Sequence, residues 1–150
     1  MESIDRLEAI EQIRSLKARY WRAVDLKIPA LLRSVFTDRV VVDFQGATGG
    51  PAIDPALLWH DPDVFVADTM AVIANIVTVH HGFEPEIEIL SDTDASAIWP
   101  MEDLVWVDAA GGGPIASSFH GYGHYHDRFR KVGGEWKIEQ TRIARTRIDA

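Results

Sequence analysis

Apolar residues recur every three or four positions near the start of the chain, at Leu7, Ile10, Ile13, Leu16, Tyr20 and Val24, with Glu8, Glu11, Arg14 and Lys17 between them. That period predicts one amphipathic helix, with Ser3 placed to cap its N-terminus. Pro29 suits the first position of a second, short helix through Leu32 and Phe36, because a missing N–H does no harm there. Arg39 to Gln45 is rich in β-branched residues and reads as a strand, and Gly46 to Pro55 reads as a connection without a phosphate-binding pattern. Asp61-Pro62 then caps a third helix, whose apolar positions from Val64 to Val77 are dense enough that much of it faces inward. This helix is expected to deliver two adjacent imidazoles, His80 and His81, before Gly82 releases the chain.

Beyond Gly82 the period changes to two. Glu86 to Leu90 alternates as a half-buried strand, Ser91 to Asp94 forms a turn, and a second strand runs from Ala95 to about Asp108. A loop from Ala109 to Pro114, with three consecutive glycines, leads to a long strand from about Ser117 to Lys131. Gly133-Gly134 turns it into a last strand from Trp136 to about Ile148. Helices first and an antiparallel meander afterwards predict an α+β fold, a curved antiparallel sheet wrapped around three to four helices, with residues 1–150 as a single domain.

Strand alternation also assigns faces. Ala97, Trp99, Met101 and Asp103 share one face, and Gly121, Gly123, Tyr125 and Asp127 share one in the next strand. The two glycines are expected to leave empty volume beside Trp99 and Tyr125, suited to an apolar ligand. The opposite face carries His120, Tyr122, His124 and His126, which at two-residue spacing is either a metal site or a wet or intersubunit surface, with no carboxylate or cysteine expected in register.

Composition narrows the classes. At 150 residues, 47% hydrophobic and 25% charged, the chain has the make-up of one ordinary globular domain and no window that would span a membrane. The acidic opening Met1 to Asp5 lacks a secretory pattern, so a cytoplasmic location is expected. A net charge of -8 argues against nucleic acid as a partner, Arg142, Arg145 and Arg147 forming the only basic cluster. The absence of cysteine removes disulfides, thiolate metal sites and thiol nucleophiles, and the six histidines lack metal-ligand spacing, so neither metal nor organic cofactor is expected.

What remains is acid–base chemistry. An imidazole, with an unperturbed pKa of ~6.5, takes and returns protons near neutrality, and only one of two consecutive rings in an extended segment can enter a pocket. Asp25 falls near the C-terminal end of the first helix, where the helix dipole disfavours a carboxylate. It is either held by a partner or exposed in a frayed last turn.

Tyr20 and Asp25 on an N-terminal helix, the stretch from Thr78 to Gly82, and the ending Tyr125 to Phe129 followed by Gly134 to Ile138 resemble the SnoaL-like branch of the nuclear transport factor 2-like superfamily. The resemblance spans nearly the whole chain and implies a cone-shaped α+β barrel around one pocket. Within the superfamily the chain is similar to the scytalone dehydratase, bile acid 7α-dehydratase and lindane dehydrochlorinase group, whose pockets use a His–Asp pair to remove a proton. The resemblance implies His80 as the base, Asp25 as its partner and Tyr20 as a phenol donor, with Val42, Phe65, His81, Trp99, Met101, Asp103 and Tyr125 around the substrate. The arginine that dehydrochlorinases carry about five residues after the tryptophan is not matched, since Thr141 stands there and Arg142 follows.

The resulting expectation is a cofactor-independent lyase (dehydratase) or isomerase for a small hydrophobic cyclic carbonyl compound, polyketide-, steroid- or terpenoid-like. The alternative is a non-catalytic small-molecule-binding or dimerisation domain of the same fold. A homodimer or higher homo-oligomer is expected, because Trp106, Tyr122 and His124 would otherwise leave an amphipathic surface in water.

Overall fold

A computed structural model describes residues 1–108 and 113–150, so the expected glycine loop from Ala109 lies largely outside the described residues. Helix α1 (Ser3–Asp25) buries Ile13, Leu16, Tyr20 and Val24 of the stripe its period predicts, and Ala9, Lys17, Trp21 and Ala23 as well, whereas Leu7 in its second turn is exposed and Ile10 only half-buried. Ser3 does not cap it. The cap position belongs to Glu2, which makes no side-chain cap bond, so Ser3 is already helical. The C-terminus is closed firmly. The N–H of Lys27 donates to the Val24 carbonyl and that of Ile28 to the Ala23 carbonyl, with Lys27 left-handed at φ 55°. This 5→2 and 6→1 pattern satisfies the last carbonyls and makes Asp25 the final helical residue rather than a frayed one.

Helix α2 (Pro29–Ser34) is shorter than expected because Phe36 already belongs to strand β1 (Phe36–Asp43). After the two-residue strand β2 (Leu58–Trp59), Asp61 caps helix α3 (Pro62–Ile73), accepting from the N–H groups of Asp63 at 2.8 Å and Val64 at 3.3 Å. The helix does not reach Val77. Ile76 to Val79 are four consecutive β-branched residues, which lose rotamer freedom in a helix, and they find a long partner strand instead. The histidines therefore sit on strand β3 (Ile76–Gly82), not on a helix.

Strands β4 (Glu86–Ile89), β5 (Asp94–Val107), β6 (Phe119–Val132) and β7 (Glu135–Asp149) follow within a residue or two of the expected bounds. The seven strands form one sheet in the order β2-β1-β7-β6-β5-β3, with β4 also on β5. β1 runs parallel to β7, and the other pairs are antiparallel. The sheet is curved and unclosed. Residues of β5 alternate between buried and half-buried, so one face lines the core while the other looks out. Helix α1 covers the inner face at β3, β4 and β7, and α3 covers it at β1, β2 and β3. Among the described residues no helix is long and apolar enough to cross a membrane.

The interior is aromatic. Phe65 meets Phe36, Phe44 and Trp59 edge-on with ring centroids 5.5, 5.8 and 5.2 Å apart. Trp21 meets Trp99 at 5.6 Å and Tyr125 at 5.9 Å in the same manner. These edge-to-face contacts match the positive rim of one ring to the negative face of the next.

Candidate active site

Ending α1 at Asp25 aims its carboxylate at β3, where three donors meet it. Oδ1 accepts from the Thr78 hydroxyl at 2.9 Å and lies 2.6 Å from His80 Nδ1, while Oδ2 accepts from the His80 backbone N–H at 2.9 Å. These bonds offset the poor placement of a carboxylate at a helix C-terminus. An ionised carboxylate can only accept, so Nδ1 carries the proton toward Asp25 and Nε2 of the neutral ring is left with its lone pair. No protein partner occupies Nε2 among the described residues. The two side chains are 19% and 12% exposed, wet enough to be reached yet mostly enclosed.

Strand alternation turns the neighbouring ring away. His81 Nδ1 lies 3.0 Å from Glu102 on the outer face, with 55% of the side chain in water. The expectation that His81 lines the pocket is thus corrected: consecutive residues of β3 point to opposite faces. Glu102 also lies 2.7 Å from His120 Nε2, whose ring stacks on Tyr122. A carboxylate does stand in register with the outer histidines, contrary to expectation, because Glu102 pairs with Tyr122 across β5 and β6. Even so, among the described residues no three His, Asp or Glu side chains are arranged to hold a metal ion.

Tyr20 is fully enclosed, its ring edge-on to Tyr125 at 5.9 Å and to Phe36 at 6.0 Å. Burial, then the Tyr125 phenol beside it, raises the Tyr20 pKa well above an ordinary phenol. Burial likewise raises that of Tyr125, with Asp103 adding to the shift. Both phenols therefore stay protonated donors throughout the neutral range.

Beneath them lies an ion pair that has no exposed surface. Lys17 Nζ is 2.8 Å from Asp127 Oδ2 and sits over the Tyr125 ring at 3.7 Å and the Tyr20 ring at 4.5 Å. The charges are close, but the alignment falls short of a hydrogen bond for Nζ and for both Asp127 oxygens. Burial pulls the Lys17 pKa below the ordinary lysine value, against the pull of Asp127.

Val42, Phe65, Trp99, Met101 and Tyr125 all face the interior. Asp103 does too, paired across the strands with His80 on one side and Gly121 on the other. Its carboxylate is gripped by Arg145, Nη1 to Oδ1 at 2.5 Å and Nη2 to Oδ2 at 2.9 Å, while Arg145 Nε donates to the Ala47 carbonyl at 2.8 Å. The space above the glycines is therefore not empty. A side chain at Gly121 would meet the Asp103 carboxylate and the Arg145 guanidinium, and one at Gly123 would meet the Ala144 carbonyl at a bulge. The glycines make room for a salt bridge and for the backbone, not for a ligand.

The SnoaL-like domain family matches residues 5–142. The chain belongs to that family. Among solved structures it is similar to a scytalone dehydratase candidate from Novosphingobium aromaticivorans, at 18% identity and a TM-score of 0.81 over 99% of this chain and 91% of the other. It is similar to a type 2 hexachlorocyclohexane dehydrochlorinase, LinA, at 17% identity and a TM-score of 0.80 over 99% and 92%. The LinA-type3 dehydrochlorinase from Novosphingobium barchaimii gives 16% and 0.79 over 99% and 93%. At such identities the likeness shows a shared nuclear transport factor 2-like cone.

In this SnoaL-like chain four polar residues escaped the sequence reading of the site: Thr78, Lys17, Asp127 as an ion-pair partner, and Arg145. Lys17 was legible in principle, since it lies four residues after Ile13 and three before Tyr20, on the buried stripe. Arg145 was not, because a bulge opposite Arg128 and Phe129 shifts the inward positions of β7 from Trp136 and Ile138 to Thr141, Ile143 and then Arg145. Arg142 lies opposite His126 and lines an outer groove of about 530 Å³. It therefore stands outside the cone.

Proposed function

We propose that this protein is a cofactor-independent lyase or isomerase acting on a small hydrophobic cyclic carbonyl compound, with His80 as general base. One observation carries the reading. Asp25 fixes both the backbone and the Nδ1 of His80, which leaves Nε2 as the basic nitrogen of the ring. A base of this kind removes a proton next to a carbonyl; the electrons then expel a β-hydroxyl as water or shift a double bond. Asp25 orients the ring and stabilises the imidazolium that forms. Tyr20 donates a proton or hydrogen bond to the substrate oxygen, and its raised pKa suits that role. The walls from Val42, Phe65, Trp99, Met101 and Tyr125 favour a hydrophobic ring over a sugar or nucleotide.

The dehydratases and dehydrochlorinases among the solved relatives support elimination as the reaction class. Dehydration fits the donors here better than loss of halide, because Thr141 stands where a dehydrochlorinase arginine is expected. A panel of cyclic β-hydroxyketones, followed by ultraviolet absorbance of the conjugated enone and by proton–deuterium exchange at the α-carbon in heavy water, tests the proposal. Turnover or exchange by the wild type, lost in His80→Ala, supports it. Equal exchange by both would sink it.

The rival reading, a binding or dimerisation domain, is favoured by the mutual contact of the interior rings. Asp25→Asn separates the two. An enzyme keeps ligand affinity and loses turnover, whereas a binding domain has no turnover to lose.

A further inference from the structure

Lys17 is a buried charge for which the proposed chemistry has found no use. It stands three residues before Tyr20 and eight before Asp25, so helix α1 carries the cation, the phenol and the carboxylate that orients His80. Nζ lies 3.7 Å from the centroid of the Tyr125 ring, 4.5 Å from that of Tyr20 and 5.2 Å from that of Trp21. All three fall within the ~6 Å reach of a cation–π contact. Asp127 balances the charge at 2.8 Å, yet Nζ has no aligned hydrogen-bond partner among the described residues. The donors of the ammonium are therefore uncommitted.

An enclosed ion pair is a poor way to stabilise a core, because desolvation commonly costs as much as the attraction returns. The phenols above it indicate a task. Dehydration has two halves: His80 removes the α-proton, and the β-hydroxyl departs as water once a proton reaches its oxygen. Tyr20 holds such a proton. Burial, and then Tyr125, raises the Tyr20 pKa, so giving the proton up leaves a phenolate in an enclosed and largely apolar place. A cation beside the ring lowers the energy of the phenolate far more than that of the phenol. Stabilisation that appears only as charge develops is the kind that accelerates a step.

We propose that Lys17 is a positioning residue that stabilises the Tyr20 phenolate and so makes Tyr20 the general acid for the leaving hydroxyl. The assignment rests on the lyase reading and narrows its substrates to β-hydroxyketones. As the C–O bond breaks, its electron pair leaves with the oxygen, which takes the Tyr20 proton and departs as water. The proton that His80 took from carbon then returns to the phenolate. Both residues are restored, and the ketone has become the enone by loss of one water.

Three probes separate the steps. Deuterium exchange into cyclohexanone reads the base, 3-hydroxycyclohexanone needs base and acid, and 3-acetoxycyclohexanone loses acetate without a donated proton. Lys17→Met combined with Asp127→Leu removes both charges together, and thermal melting confirms that the variant is folded. Its kcat for the hydroxy compound should fall about ten- to thirtyfold, the range of a desolvated cation–π contact, with KM little changed. Elimination of acetate and exchange into cyclohexanone should stay near the wild-type rate. Tyr20→Phe should likewise lose the hydroxy compound selectively over the acetoxy one. If the folded double variant or Tyr20→Phe eliminates water and acetate in the wild-type ratio, the assignment of Lys17 is overturned, while exchange by the wild type keeps the His80 reading. Absence of exchange in the wild type sinks the His80 reading and this assignment with it.

Discussion

Lys17 Nζ lies 2.8 Å from an Asp127 carboxylate oxygen, and neither side chain has any exposed surface. The pair joins α1 to β6 beneath the two phenols, fully enclosed in the core. Removing one partner leaves the other charged and buried, so Lys17→Met should cost about 3–5 kcal/mol. Lys17→Met combined with Asp127→Leu should recover most of that loss. Urea unfolding of the single and double variants measures both effects, and equal stability of Lys17→Met and wild type would contradict the buried pair.

Asp25→Asn keeps the shape of its side chain but exchanges an acceptor-only group for an amide that can turn a donor toward Nδ1. Turnover should fall about 10²–10⁴-fold with little change in ligand affinity. Tyr20→Phe should lower it less if the phenol only orients the substrate, and comparably if it protonates the leaving hydroxyl. Steady-state kinetics on the substrate found in the panel separate these outcomes.

Hydrogen bonds from His81, and then from His120, hold the Glu102 carboxyl below its ordinary pKa of 4.5. A carboxyl with a depressed folded pKa contributes stability that is complete above the unfolded value and is lost as pH falls through the folded one. Glu102→Gln should therefore flatten the acid limb of a melting-temperature profile below about pH 4.5 while leaving the neutral region little changed. An unaltered acid limb would mean that the His–Glu–His contacts carry no linkage.

The alkaline limb has the opposite origin. Burial raises the pKa of Tyr20 and of Tyr125 above the ordinary 10.0, so near and above that pH the unfolded chain has released protons that the folded chain keeps. Stability is then lost as pH rises past the unfolded value. Tyr125→Phe should soften this loss, as seen in denaturant unfolding on either side of about pH 10. Turnover should not decline near pH 10 through ionisation of Tyr20, since the folded phenol is still protonated there.

Trp106 is 46% exposed on the outer face, which continues into Tyr122 and His120. A homodimer through this face is expected, and Trp106→Glu should shift it toward monomer in light scattering. A monomeric wild type at tens of micromolar would count against this use of the surface.

Much of the fold was legible because burial imposes a period. The stripe from Ile13 through Tyr20 to Val24, the Asp61 cap and the alternation along β5 each follow from local geometry that a sequence records directly. The family resemblance pointed to Asp25 and His80, and strand alternation required that only one of the two rings turn inward. Other features depended on residues far apart in the chain. The third helix stops at Ile73 because β5 offers Ile76 to Gly82 a full ladder of partners, which outweighs helix periodicity. The spacing of Lys17 puts it on the buried stripe, but only Asp127, distant in sequence, meets its charge inside. Arg145 reaches Asp103 only because a bulge re-aims β7 and Gly121 leaves the way open. The sequence by itself determined where apolar surface must be covered, since that is a property of each segment. Only the tertiary structure decided which charges are buried together, because the energy of a charge depends on what the rest of the fold places beside it.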